Sequence, residues 1–222
     1  MNIGVITYDV PHLKTQDLIF KLISKKYKIK IIITKFKKFK KRDILLKHRP
    51  YQFVGPNPFE LAQKLKLDIH KIQQIKQLKN IDYFLIGGCG LIEKKYIIKN
   101  KIINCHPGLI PQTKGLDALK WAILKSHPIG NSLHFVDSSV DNGRVISHKL
   151  TPIFKNDKFN DLSLRHYKME IDMLADFEKY LKNPKKNLLK NIFNYEPNKR
   201  MNVTNEKKMM KVFNRLKKQK PL

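Results

Sequence analysis

The chain has 222 residues, 41% of them hydrophobic, and carries a formal net charge of +28 from 46 Lys and Arg against 18 Asp and Glu. That is enough apolar material for one sizeable core, while no run approaches the roughly 20 consecutive apolar residues of a membrane span, so a soluble globular protein is expected. With Cys89 and Cys105 as its only cysteines, the chain has neither a disulfide framework nor the C-x-x-C spacing of a zinc site, and no metal is expected.

The opening residues, Met1-Asn2-Ile3-Gly4-Val5-Ile6, start directly as a strand and lack the charged start, apolar middle and cleavage site of a secretory signal, which places the protein in the cytoplasm. Lys is spread along the chain beside many Ile and Asn, a pattern that compositional bias alone produces. It concentrates from Lys35 to Arg42 and from Lys182 to Lys220, the stretches that a nucleic acid or another polyanion would meet first. The charge permits a nucleic-acid partner without favouring one.

Asn2 to Thr7 reads as the first strand, followed by a turn at Asp9 to His12 and a helix from about Thr15 whose inward stripe is Leu18, Leu22 and Ile23. Lys28 to Thr34 is the second strand. In an open parallel sheet the loop between them lies at the carboxyl edge, where ligands bind, so His12, Lys14 and Gln16 are candidate substrate contacts; ordinary solvated loop residues are the alternative. Asn57-Pro58-Phe59-Glu60 has the residues of a helix start: a capping Asn, Pro in the first position and a Glu able to reach back. A short extended piece near Asp68 to His70 follows.

Asp82 to Ile86 is a further strand, ending in Gly87-Gly88-Cys89-Gly90. These glycines allow tight turning and close approach of a flat ligand, but match neither the dinucleotide fingerprint nor a Walker loop. A helix near Glu93 to Ile98 is expected before the strand from Lys101 to Cys105. Beyond it come a helix from Leu116 to Lys125 with Leu119, Trp121, Ala122 and Ile123 inward, a strand from Gly130 to Val136, a polar loop to Gly143, and a returning strand from Arg144 to Leu150. The longest helical pattern runs from Asp161 to Leu181, with Leu164, Met173, Leu174, Phe177 and Leu181 on one face. Thr204 to Lys217 is a terminal helix. Alternating strands and helices specify an α/β, Rossmann-like domain with a largely parallel sheet and helices on both faces, spanning 1–183, and a basic carboxyl-terminal extension over 184–222.

The strand ending Ile102-Ile103-Asn104-Cys105-His106 stops at Pro107-Gly108, so Asn104 and His106 project the same way at its carboxyl end. Asp141 lies in the loop after Val136. An amide, an imidazole and a carboxylate are the parts that acyl transfer to an amine needs, for oxyanion stabilisation and proton handling. A structural turn at His-Pro-Gly and an ordinary Asp-Asn-Gly turn explain the same residues.

The order Asn104-x-His106-Pro107-Gly108-Leu109-Ile110-Pro111, then Gly115, then Gly130-Asn131-Ser132-Leu133-His134-Phe135-Val136, then Asp141-x-Gly143 resembles the folate-dependent formyltransferase family. The resemblance is densest from about residue 80 to 152. That family includes glycinamide ribonucleotide transformylases, the amino-terminal domain of methionyl-tRNA formyltransferases and sugar N-formyltransferases, which carry a formyl group from 10-formyltetrahydrofolate to a primary amine. It implies that Asn104, His106 and Asp141 are catalytic, and that Gly88, Cys89, Leu91 and Ile92, with Val136 and Val140, form the pterin pocket. Lys114 joins His12, Lys14 and Gln16 as a candidate acceptor contact.

Where glycinamide ribonucleotide transformylases have a Gly- and Ser-rich phosphate loop after the first strand, this chain has Tyr8 to Gln16; where methionyl-tRNA formyltransferases add a domain, about 40 residues follow Leu181. The expected acceptor is a small anionic amine, such as an amino sugar linked to a nucleotide. The ribonucleotide and tRNA enzymes remain alternatives, and a catalytically inactive RNA-binding protein on this fold is an alternative of another class. The oligomeric state is not specified by the sequence.

Overall fold

In the computed structural model the described residues form seven strands: β1 (Asn2–Tyr8), β2 (Lys28–Thr34), β3 (Asp68–Lys71), β4 (Tyr83–Ile86), β5 (Ile102–His106), β6 (Gly130–Phe135) and β7 (Val145–Leu150). The structure describes residues 1–38, 41–49, 51–183 and 195–218. Part of the expected basic stretch (Phe39 and Lys40), Pro50, the start of the expected extension (184–194) and the last four residues lie outside them. The strands hydrogen-bond in the order β3-β2-β1-β4-β5-β6-β7. The pairs β1/β2, β1/β4, β2/β3 and β4/β5 are parallel and β6/β7 antiparallel. A near-continuous apolar run such as Ile3, Val5 and Ile6 of β1, all fully buried, is what parallel strands covered by other elements require.

Among the described residues six helices connect or follow the strands: α1 (Leu13–Ser24), α2 (Pro58–Leu65), α3 (Ala118–Leu124), α4 (Phe159–Ala175), α5 (Phe177–Lys182) and α6 (Val203–Leu216). The start of α2 is as its residues dictate. Asn57 Oδ1 accepts from the Phe59 and Glu60 amides at 2.9 and 3.0 Å, and Glu60 Oε2 accepts from the Asn57 amide at 3.1 Å.

Three local expectations are corrected. Glu93 to Ile98 holds only a 3₁₀ turn, Lys94–Tyr96, because it carries no apolar stripe spaced for a full helix. The inward stripe of α1 is Leu18, Ile19 and Leu22, with Ile23 38% exposed; Ile19 is three residues from Leu22 and shares its face. The long pattern after Asp161 breaks at Asp176 into α4 and α5, and Leu164 is 53% exposed on the outer side.

The chain forms two compact units. The first comprises Met1–Phe39, Tyr51–Asn104 and Phe135–Ser138, around a core of Ile6, Ile32, Ile75, Phe84, Ile86 and Ile102. The second comprises Lys40–Pro50, Cys105–His134 and Ser139–Leu222. Its core gathers Leu119, Ala122 and Ile123 of α3, Phe159 and Leu162 of α4, and Met201, Met209 and Phe213 from the described part of the carboxyl-terminal extension. Segment 195–218 thus packs within this unit, its helix α6 against α3. Among the described residues no helix is long and apolar enough to cross a membrane.

Candidate active site

Ile103 and Cys105 are fully buried on one side of β5, so that the strand's alternation commits Asn104 and His106 to the other side at its end. His106 is 4% exposed. Its Nε2 lies 2.7 Å from the carbonyl oxygen of Thr113, an atom that only accepts, so Nε2 carries a hydrogen. The other ring nitrogen, Nδ1, lies 3.3 Å from Asp141 Oδ2. With both nitrogens facing acceptors, the His106–Asp141 pair is complete only when one further proton sits between them, on the ring or on the carboxyl. That is the arrangement of a group that gives and takes a proton.

Asp141 reaches this position from a left-handed backbone turn, φ +45°, which Asp tolerates better than most residues. Its Oδ2 accepts the Gly115 amide hydrogen bond at 2.8 Å, and its Oδ1 is 3.8 Å from His134 Nε2. The carboxylate therefore stands between two imidazoles and a backbone donor. Lys114, 5% exposed, donates from Nζ to Asn142 Oδ1 at 2.6 Å and so secures the residue after Asp141.

The turn after His106 is held by two further polar groups in the second unit. Ser132 Oγ of β6 donates to the Gly108 carbonyl at 2.7 Å and accepts from the Ile110 amide at 2.9 Å. His166 of α4 donates from Nε2 to the Pro107 carbonyl at 3.3 Å and has Nδ1 2.8 Å from Thr151 Oγ1. Burial pushes the His166 pKa down to about 4, against the opposing pull of Glu170, so its ring is neutral and has one donor and one acceptor nitrogen, as these two contacts need.

Gly115, Ser132 and His134 entered the sequence reading only as members of the family-like motif, and Thr113 and His166 were not singled out. Ser132 and His134 are buried polar residues on one side of β6, and His166 interrupts the buried face of α4; those breaks in pattern were the available signals.

Of the candidate acceptor residues of the first unit, His12 and Lys14 are buried and Gln16 is half-buried. His12 is 3% exposed, with its ring 3.2 Å from Gln52 Nε2 and 3.4 Å from Thr15 Oγ1. Gln16 donates from Nε2 to the carbonyls of Val54 and Pro56, and Lys14 is 6% exposed. His12 and Gln16 thus tie the 51–56 segment to the start of α1 and the loop before it.

Of the candidate pterin residues, Cys89, Ile92 and Val136 lie against the first unit's core. A Cβ on Gly88 would stand 2.5 Å from the His12 ring, so only glycine fits there. Leu91 is 80% exposed, and Val140 is half-buried in the second unit. Burial raises the Cys89 thiol to about 12, which keeps it protonated and unreactive at neutral pH.

The family model described as "Formyl transferase" matches residues 1–177. The phosphoribosylglycinamide formyltransferase of Bacillus subtilis (strain 168) is 29% identical over 122 residues, 54% of this chain and 60% of that protein. The curated relatives are matched over only 5% to 60% of their own lengths. Among solved structures, phosphoribosylglycinamide formyltransferase from Bacillus halodurans superposes with a TM-score of 0.62 at 18% identity, covering 85% of this chain and 98% of that one. An N-formyltransferase from Helicobacter canadensis, described in complex with folinic acid and dTDP-3-aminofucose, superposes with a TM-score of 0.65 at 17% identity, covering 96% and 81%. These likenesses share the α/β Rossmann-like fold, and the family match spans well over half of the sequence: the chain belongs to the formyl transferase family.

Proposed function

We propose that this protein transfers the formyl group of 10-formyltetrahydrofolate to the primary amine of a nucleotide-linked amino sugar. The donor supplies an electrophilic carbonyl carbon, to which the amine nitrogen bonds as the bond from that carbon to the folate nitrogen breaks. His106, carrying a proton shared with Asp141, sets a positive charge near the developing oxyanion, and Asn104, two residues earlier on β5, offers it an amide N–H. Asp141 takes the proton that the amine loses and returns it to the departing folate nitrogen. Gly88, Cys89, Leu91, Ile92, Val136 and Val140 are the proposed donor contacts.

One observation carries the choice of acceptor class. A phosphate-binding helix start presents free backbone amides, whereas in the loop after β1 the Leu13 amide donates to the Gln52 carbonyl at 2.9 Å and the Thr15 and Gln16 amides donate to the His12 carbonyl at 3.0 and 3.3 Å. Those donors are already used. Beside that loop, rings gather from the end of β1, the segment after β2 and the 51–56 segment: Tyr8 and Phe36 pack edge-on at 5.1 Å, Phe36 and Phe53 lie 5.2 Å apart, and Phe53 is 41% exposed. An exposed aromatic face suits the base or sugar of a nucleotide sugar better than the phosphate of a ribonucleotide. The extent of the fold likeness agrees, since sugar N-formyltransferase structures cover 96% of this chain and the B. halodurans ribonucleotide enzyme 85%.

The test is turnover of 10-formyltetrahydrofolate by purified protein with three acceptors in parallel: dTDP- and UDP-linked amino sugars, glycinamide ribonucleotide, and methionyl-tRNA. Formylation of an amino-sugar nucleotide with the highest kcat/KM is expected. Turnover confined to glycinamide ribonucleotide would overturn the acceptor assignment, and no turnover with any acceptor, together with RNA binding, would favour an inactive RNA-binding protein.

A further inference from the structure

The Gly115 amide that holds Asp141 is itself held by a distant part of the chain. Lys114, Gly115 and Leu116 pair in parallel with Asn198 through a single bridge. The Asn198 amide donates to the Lys114 carbonyl at 2.9 Å and the Leu116 amide donates to the Asn198 carbonyl at 2.8 Å. The Asn198 side chain adds a second donor, Nδ2, to the same Lys114 carbonyl at 2.9 Å, while its Oδ1 accepts from Lys125 Nζ at 2.9 Å.

Gly115 is suited to this contact in two ways. Its φ of +86° lies in the region that favours glycine, and a Cβ there would stand 2.5 Å from the Asn198 carbonyl oxygen. The neighbouring residues fix the segment further. Trp121 Nε1 donates to the Lys199 carbonyl at 2.7 Å. Asp117, preceding α3, accepts from the Met201 amide at 2.9 Å and from Arg42 at 3.1 Å. Met201 is 1% exposed in the second unit's core.

From this chain of bonds we propose that Asn198 is a positioning residue for catalysis: by gripping Lys114 and Leu116, the residues on either side of Gly115, it sets the Gly115 N–H that orients Asp141 toward His106. Lys114, bonded to Asn142, fixes the other flank of the same carboxylate. Asn198 thereby acts on turnover through the geometry of the strap. The inference rests on the reading of Asp141 as catalytic.

Two measurements test it. In ¹⁵N-labelled protein, Asn198→Ala should speed hydrogen exchange of the Gly115 amide by about tenfold, the scale of one lost hydrogen bond. Asn198→Asp, which keeps the Lys125 partner and removes only the donor to Lys114, should do the same. Asn202→Ala, which removes the cap of α6, should lower the thermal midpoint and leave the Gly115 amide and turnover unchanged. In a double-mutant cycle, Asn198→Ala should lower kcat about tenfold with the KM for the folate unchanged, and produce no further loss in an Asp141→Asn background.

Unchanged Gly115 exchange, or equal losses of kcat in both backgrounds, would overturn the proposal. Full turnover by Asp141→Asn alone would instead sink the catalytic reading of Asp141, and with it the inferred role of Asn198 in catalysis, even if the Gly115 amide responds.

Discussion

Lys120 and Glu206 form an ion pair that is almost wholly enclosed, with side chains 1% and 0% exposed. Lys120 comes from the middle of α3 and Glu206 from the first turn of α6, where a carboxylate also suits the helix dipole. The same carboxylate accepts from the Leu45 and Leu46 amides at 2.7 and 3.2 Å. Three separate stretches of chain therefore meet on one buried carboxylate, and a buried charge is tolerated only while such partners persist.

Removing either partner should be strongly destabilising. Lys120→Met leaves the carboxylate with backbone donors alone and should cost about 3 kcal/mol. Glu206→Ala strands the ammonium and two backbone amides together, and should cost at least about 1 kcal/mol more. Urea unfolding of the two variants checks the order; equal losses would mean that the Leu45 and Leu46 bonds contribute nothing.

Stability should fall in mild acid through buried histidines. His166 is held neutral in the fold, with its pKa pushed down to about 4 by burial, against about 6.5 in an unfolded chain. Above pH about 6.5 both states are neutral and the fold keeps its full stability. As pH falls from there toward 4, the unfolded chain takes up the proton first, and stability drops by up to about 3 kcal/mol from this residue. His48 and His148 act in the same direction, both lowered chiefly by burial. Between pH 6.5 and 5, urea unfolding should show a loss about 2 kcal/mol smaller in His166→Gln than in the wild type; equal losses would show that His166 does not titrate in this way.

The His106 ring is asked both to bond Thr113 and to share a proton with Asp141. His106→Gln can still donate to the Thr113 carbonyl but can carry no positive charge, so it should fold normally and lose ten- to a thousandfold in single-turnover rate, on the order of an oxyanion-site deletion. Asn104→Ala should fall in the same range. Thermal unfolding alongside the rate measurement separates the two effects, and a wild-type rate in His106→Gln would show that the imidazole holds the loop without acting in the chemistry.

Much of this was legible in the sequence because local pattern and tertiary demand agreed. The Ile-rich runs became strands, Asn57 and Glu60 capped α2, and the order of Asn104, His106 and Asp141 carried the family resemblance. What could not be read was long-range. Nothing local marks Met209 and Phe213, four residues apart within a Lys-rich tail, as core residues, and their burial depends on α3 lying alongside. Gly115 is visible as a motif residue, but its bond to Asp141 and its bridge to Asn198 arise only when segments distant in sequence fold together. His12 and Gln16 were read from topology at the ligand edge of the sheet; the bonds that they make to the 51–56 segment could not be read, because no periodicity foretells that segment's path.

The most direct test is the paired measurement of donor affinity and single-turnover formyl transfer for Asp141→Asn. The substitution keeps the size of the side chain and an oxygen able to accept from Gly115, and removes the charge that is needed only as the amine loses its proton. Differential stabilisation of that kind appears in the rate and not in ground-state binding. The predicted result is a folate affinity close to that of the wild type with a transfer rate at least about a hundredfold lower. An unchanged rate would remove Asp141 from the chemistry, and lost binding with a normal rate at saturation would make it a structural residue of the loop.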